Sequence, residues 1–162
     1  MDKLKELSLG EKIVAAAGIL LLIFSFFSWY SVDLGGFGTY SRNGWQSPGS
    51  FWGIIAILLG IVMAAQVIVD KLGLAQLPDK LGSVGWGTIH LIGGVVAFVF
   101  VIIKFLNESS HTSFGFYLGI IAAAGLAFGG FTIAKERGEL PGALNKGGGS
   151  SSGPTPPAPP SV

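Results

Sequence analysis

His90 and Gln66 are the two strongly polar side chains inside the long apolar runs of this sequence, so any chemistry within those runs has to begin with them. An imidazole held away from water can carry a proton, ligate a metal or hold haem, and an ionisable side chain at membrane depth is a functional hypothesis by default. Each of these roles needs a second group. A proton relay needs another titratable residue at depth, and the runs contain no Asp or Glu. Haem needs an axial partner, and the other histidine, His111, falls in a loop. Gln66 and His90 can, however, hydrogen-bond across two helices. His90 stands four residues after Trp86 and Gln66 three before Val69, so both lie about 5–6 Å inside the same boundary at 1.5 Å per residue. Such a contact ties helices together by about 0.6–2 kcal/mol.

Other routes to catalysis are closed at the level of composition. There is no Cys, which removes thiolate chemistry and disulfides. Ser25, Ser28, Thr88 and Thr132 have no base beside them, no glycine-rich phosphate loop follows a strand, and no carboxylates are paired at a useful spacing. The sequence therefore predicts no catalytic residue, no metal and no cofactor. A net charge of +1 with no basic patch argues against nucleic acid as a partner.

The elements that must position these residues are four runs free of Asp, Glu, Lys and Arg: 13–30, 51–69, 86–103 and 114–134. A helix needs roughly 20 apolar residues to cross a bilayer, and each run is near that length. The predicted fold class is all-α: a four-helix transmembrane bundle over residues 1–137, with its apolar faces solvated by lipid. Only 12% of the chain is charged, against roughly 25% in soluble domains. Lys3, Lys5, Lys12, Lys71, Lys80, Lys135, Arg137 and Lys146 fall on one side of these spans, and Arg42 and Lys104 on the other. An excess of Lys and Arg in short loops marks the cytoplasm, so both termini are expected inside. The aromatic block Phe26–Phe27–Ser28–Trp29–Tyr30 is unlike a signal-peptide cleavage site, so the first run reads as an uncleaved helix. Trp29 and Tyr30, Phe51 and Trp52, and Phe114, Phe116 and Tyr117 are expected at the outer headgroups, and Trp86 at the inner ones.

Ser8 and Glu11 have capping-box spacing ahead of the first helix, and Leu4 with Leu7 suits a short turn on the inner surface. In the outer loop, 31–50, Asn43-Gly44 is a strong hairpin signal, so a small two-stranded flap is expected there. Its Tyr40, Arg42 and Trp45 are candidate interaction residues. In the inner loop, 70–85, Pro78 is placed to open a single helical turn. Lys104 is expected to snorkel to the outer interface and pair with Glu108, four residues on. Residues 138–162, rich in Gly, Ser and Pro, read as a disordered cytoplasmic tail acting as a spacer. Small residues recur on single faces: Gly18, Leu21, Ser25 and Ser28; His90, Gly94, Ala97, Val101 and Lys104; Gly115, Gly119, Ala122, Leu126 and Gly129. In lipid such faces are for close helix packing.

The aromatic block 26–30, followed by Asn43-Gly44-Trp45 and Phe51-Trp52-Gly53, resembles small four-pass bacterial membrane proteins to which no activity is assigned. The resemblance covers about residues 8–135. It implies the four-pass topology and a bacterial plasma membrane, and no chemistry. The resulting expectation is a non-enzymatic accessory or scaffold protein that uses its helix faces and outer loop against another membrane protein or a second copy of itself. The alternative is a transporter or channel subunit that forms a pore only as a homo-oligomer.

Overall fold

The computed structural model describes residues 6–75, 77–78 and 80–142. Four helices dominate it: α1 (Leu9–Phe24), α2 (Ser50–Leu72), α3 (Trp86–Asn107) and α4 (Phe114–Glu136). Strands β1 (Tyr30–Asp33) and β2 (Thr39–Arg42) follow α1, and β3 (Lys80–Leu81) and β4 (Val84–Gly85) precede α3. Each helix packs against its neighbours in sequence, α1 also closes against α4, and α2 and α4 touch only slightly across the diagonal. Glu11 at the start of α1 meets Lys71 at the end of α2, and Lys104 near the end of α3 meets Gly49 at the start of α2, so successive helices run antiparallel.

Three helices, α2, α3 and α4, are long and apolar enough to cross a membrane. The first helix is shorter than the sequence suggests. It ends at Phe24 rather than Tyr30 and has 16 residues, about 24 Å of rise. Local hydrogen bonding explains the stop. The Phe26 and Phe27 amides donate three residues back, to Ile23 and Phe24, tightening the last turn, and the Trp29 indole N–H then takes the Phe24 carbonyl at 2.8 Å. The start is as the capping box predicts: Ser8 Oγ accepts from the Glu11 amide, and the Glu11 carboxylate accepts from the Ser8 amide at 2.9 Å.

The outer loop does form an antiparallel hairpin, pairing Tyr30 with Arg42 and Asp33 with Thr39. Its turn, however, is at Gly35–Phe37 and not at Asn43-Gly44. Gly35 and Gly38 adopt φ of 64° and 92°, a region closed to most side chains. Asn43 instead makes an Asx turn after β2, its Oδ1 accepting from the Trp45 amide at 3.1 Å. The inner loop also departs from expectation. Leu77 and Pro78 form no helical turn; the chain makes a two-residue ladder, Lys80 opposite Gly85 and Leu81 opposite Val84. The Pro78 carbonyl receives the Trp86 indole N–H at 2.7 Å. Leu4 and residues 143–162 lie outside the described residues.

Apolar side chains cover both the inside and the outside of the bundle. Val14, Leu21, Ile57, Val101, Phe116 and Leu126 are fully buried, while Val62, Ile92, Ile121 and Phe128 are exposed. Helices that are apolar all round suit lipid solvation. Trp29, Tyr30 and Phe116 do not face the headgroups as expected: all three are buried in protein, with Phe116 meeting the other two at ring-centroid distances of 5.1 and 5.8 Å. Contact between helices is backbone-close at glycines. A methyl group at Gly18 would run into the Gly60 carbonyl of α2, one at Gly94 into the Leu126 carbonyl, and one at Gly130 into the His90 carbonyl.

Replacing Gly by Ala in a free helix favours the helix by about 0.8–1 kcal/mol. At Gly130 the added Cβ meets backbone that cannot yield. Gly130→Ala is therefore expected to destabilise by about 1–3 kcal/mol, read as a lowered unfolding midpoint in detergent. Gly36→Ala, where the added atom meets open space, should leave the midpoint unchanged.

Candidate functional site

Polar side chains gather at the two ends of the bundle. At the inner end, Glu11 is 4% exposed and holds two cations from other elements, Lys71 Nζ at 3.2 Å and Arg137 Nη2 at 3.1 Å. It thereby ties α1 to the end of α2 and to the residue following α4. Glu136 accepts from Ser8 Oγ at 2.6 Å. Glu139 lies across the start of α3, taking the Gly87 and Thr88 amides at 2.7 and 3.2 Å, while its own carbonyl takes Thr88 Oγ1 at 2.8 Å. A carboxylate at a helix N-terminus complements both the free amides and the helix dipole.

One turn deeper, Gln66 and His90 are brought together, with Nε2 of the imidazole 2.6 Å from Gln66 Oε1. A carbonyl oxygen only accepts, so Nε2 carries the proton. His90 Nδ1 is then an acceptor, buried and without a hydrogen-bond partner among the described residues. The pair spans α2 and α3. Among the described residues, no three His, Cys, Asp or Glu side chains are grouped to hold a metal. The hydroxyls of Ser25, Thr88 and Thr132 donate to the Leu22, Glu139 and Phe128 carbonyls.

The outer end is organised around Lys104. It is fully buried rather than snorkelling, and it makes no ion pair with Glu108. Its Nζ donates to the Gln46 and Pro48 carbonyls, each at 2.9 Å, and lies 5.7 and 5.4 Å from the Trp29 and Tyr30 ring centroids. The Tyr30 hydroxyl donates back to the Lys104 carbonyl at 3.0 Å. The signal for this arrangement was present in the sequence: Lys104 shares a helical face with His90, Gly94, Ala97 and Val101, and all of that face is buried.

The three outer-loop residues singled out by sequence are placed differently from one another. Trp45 is half-buried, its indole N–H bonded to Ser25 Oγ at 2.9 Å and its ring 6.0 Å from Phe26. Tyr40 is exposed, with the Arg42 guanidinium 5.2 Å above its ring. Arg42 also donates to the Ser47 carbonyl at 3.0 Å. The α3–α4 connection is fastened to the hairpin: Ser31 donates to the His111 carbonyl at 2.9 Å and Ser113 to the Trp29 carbonyl at 2.8 Å. In that connection Glu108 accepts from the Ser110 amide at 2.9 Å and sits 3.3 Å from His111 Nδ1. The backbone bond to Ser110, more than the His111 contact, holds the Glu108 carboxyl below the usual carboxylate range. At the tip of the hairpin, Leu34 is 52% and Phe37 94% exposed. The sequence did not single out Phe37 or Glu139, and it marked Glu11 only as a capping residue.

Comparison with protein-family models, with curated proteins and with solved structures finds no match to this chain.

Lys104→Met keeps the unbranched stem of the side chain and removes its donors, leaving the Gln46 and Pro48 carbonyls without them. Expected is a loss of about 2–3 kcal/mol in detergent unfolding, together with faster proteolytic nicking between residues 43 and 49. The lowered Glu108 ionisation carries its own sign. The carboxylate's contribution to loop order is present above the ordinary carboxylate range and fades as pH falls through its depressed value. Hydrogen exchange at the Ser110 amide, corrected for its intrinsic pH dependence, should lose protection on acidification. In Glu108→Gln that pH dependence should vanish.

Proposed function

We propose that this chain is a four-pass protein of a bacterial plasma membrane, with both termini cytoplasmic, that serves as a non-enzymatic accessory or scaffold subunit and engages a membrane partner through its outer hairpin. The fourth pass is supported by where α1 lies along α4. Gly10 abuts Ile133 and Gly129 near one end of α4, and Gly115 at the other end abuts Phe27 and Ser28. Chain 10–28 thus runs the same length as the long apolar helix beside it, and a bilayer accommodates the shorter helical part at a modest cost. Orientation rests on the eight-to-two division of basic residues. One of the two outer ones, Lys104, is consumed by internal hydrogen bonds.

The observation that carries the functional reading is Phe37, 94% exposed beside a half-exposed Leu34, on a hairpin bonded to the rest of the outer cap. Apolar side chains held out on an ordered platform suit recognition of another surface. The helix faces add an apolar groove of about 280 Å³ flanking α1, where Ala16, Ala17, Ala122 and Gly125 leave room for a further helix. Leu21, Ile57, Val101 and Leu126 fill the middle of the single bundle, so the alternative, a transporter or channel subunit, would need a homo-oligomer to form its pore.

Because the chain has no Cys, single cysteines report topology directly. In intact cells an impermeant maleimide should label Gly36→Cys, and should label Glu6→Cys and Ser83→Cys only after permeabilisation. Labelling of residue 6 together with residue 36 would remove the fourth pass. A photo-crosslinking amino acid at Tyr40 should yield one discrete adduct in native membranes, and Phe37→Asp should abolish it. An adduct indifferent to residue 37, or none, would overturn the docking role.

A further inference from the structure

Between the outer hairpin and the α3–α4 connection, away from the exposed Phe37 at the tip, lies a cavity of about 140 Å³. Arg42 and Glu108, of opposite charge, both line it, yet no salt bridge joins them. Each is held by something else. Arg42 is bonded to the Ser47 carbonyl and stacked on Tyr40, and its backbone carbonyl receives the Trp29 amide at 2.8 Å. Glu108 is held by the Ser110 amide and by His111. The walls are joined to each other by backbone bonds, the Tyr30–Thr112 bridge and the Ser31-to-His111 bond. The two charges therefore face one cavity without being free to collapse on each other. A separated cation and anion of this kind are complementary to a ligand that carries both charges.

We propose that this cavity binds a small zwitterion of the phosphoethanolamine class, with its phosphate at Arg42 and its ammonium at Glu108. Guanidinium is the side chain best matched to phosphate oxygens, and a carboxylate beside the Tyr30 and Tyr40 rings suits an ammonium group. A space of about 140 Å³ is on the scale of a headgroup and well below that of a drug-sized ligand. The depth fits as well. Phe51, Phe114 and Tyr117, all more than half exposed, ring the outer first turns of α2 and α4, and Glu108 follows the last turn of α3 directly. The cavity thus opens at the level where aromatic belts meet headgroups. Arg42 and Glu108 are a recognition pair, and the inference goes beyond the accessory role without depending on it.

The test uses the full chain, purified free of phospholipid in a neutral detergent and titrated by calorimetry with three probes: short-chain phosphatidylethanolamine, short-chain phosphatidylglycerol and free phosphoethanolamine. Phosphatidylethanolamine should bind at one saturable site, with phosphatidylglycerol, which lacks the ammonium, about tenfold weaker or more. Glu108→Gln should erase that preference by weakening only the phosphatidylethanolamine, and Arg42→Gln should weaken both lipids. Val32→Trp, which fills the cavity from β1 while leaving both charged residues in the sequence, should abolish binding while the unfolding midpoint stays in place. Free phosphoethanolamine binding as tightly as the lipid would support the site and assign it a soluble ligand; much weaker binding would support the site and assign it the lipid. Equal affinity for the two lipids, or a Glu108→Gln protein that keeps its preference, would overturn the proposal. Loss of the phenylalanine-dependent crosslink at the hairpin tip would bear on the docking role alone.

Discussion

An ammonium group with no access to solvent has to be solvated by the protein, and at the outer end of this bundle that requirement organises everything nearby. Lys104 reaches two carbonyls of the loop between β2 and α2, and two aromatic faces from the chain after α1. Burying an unpaired charge is costly, so the loop can leave this position only by exposing the cation or by stranding it. The loop is thereby fixed on α3, Gly44 is fixed against Trp29, and Trp29 against Phe116 of α4. One charge links three otherwise separate pieces of chain. The inner end solves the same problem with the opposite sign: buried Glu11 gathers Lys71 and Arg137. The two ends differ in how they balance charge. The inner one pairs ions, and the outer one uses neutral dipoles.

Between these ends the helices approach through absent side chains. Gly18 against Gly60, Gly94 against Leu126 and Gly130 against His90 are contacts in which the backbone of one helix occupies the space a Cβ would need on the other. Lipid gives apolar helices little reason to associate, so close van der Waals contact and a few interhelical polar bonds must supply it. The Gln66–His90 bond is one of these, set near the inner ends of α2 and α3 where the glycine seam between α3 and α4 begins.

Much of this was legible in the sequence where a side chain carries its own signature. Periodicity put His90, Gly94, Ala97, Val101 and Lys104 on one face, and that face is buried. Ser8 and Glu11 announced the start of α1. What hydropathy could not convey is whether an apolar residue faces lipid or protein. The aromatic block after Phe24 looks the same in either case, so the end of α1 and the burial of Trp29 and Tyr30 were not readable from it. The burial of Lys104 is hidden from the sequence for a related reason. Its partners are backbone carbonyls, which every residue possesses, and a carboxylate four residues away was the only partner visible in the letters. The hairpin turn went to Gly35–Phe37 because Asn43 had local work, holding the Trp45 amide, that dipeptide statistics do not weigh.

The dependence of the outer loop on Lys104 has a consequence for the order in which the molecule is made. Chains are synthesised from the N-terminus, and early elements wait for later ones. When α1, the hairpin and α2 have emerged, the carbonyls of Gln46 and Pro48 still lack their donor, and β1 still lacks its partners at His111 and Thr112. The first half of the protein is thus released into the membrane with its outer face unfinished, and the arrival of α3 completes it. The outer loop is thus finished by a residue that follows it by more than fifty positions in the chain.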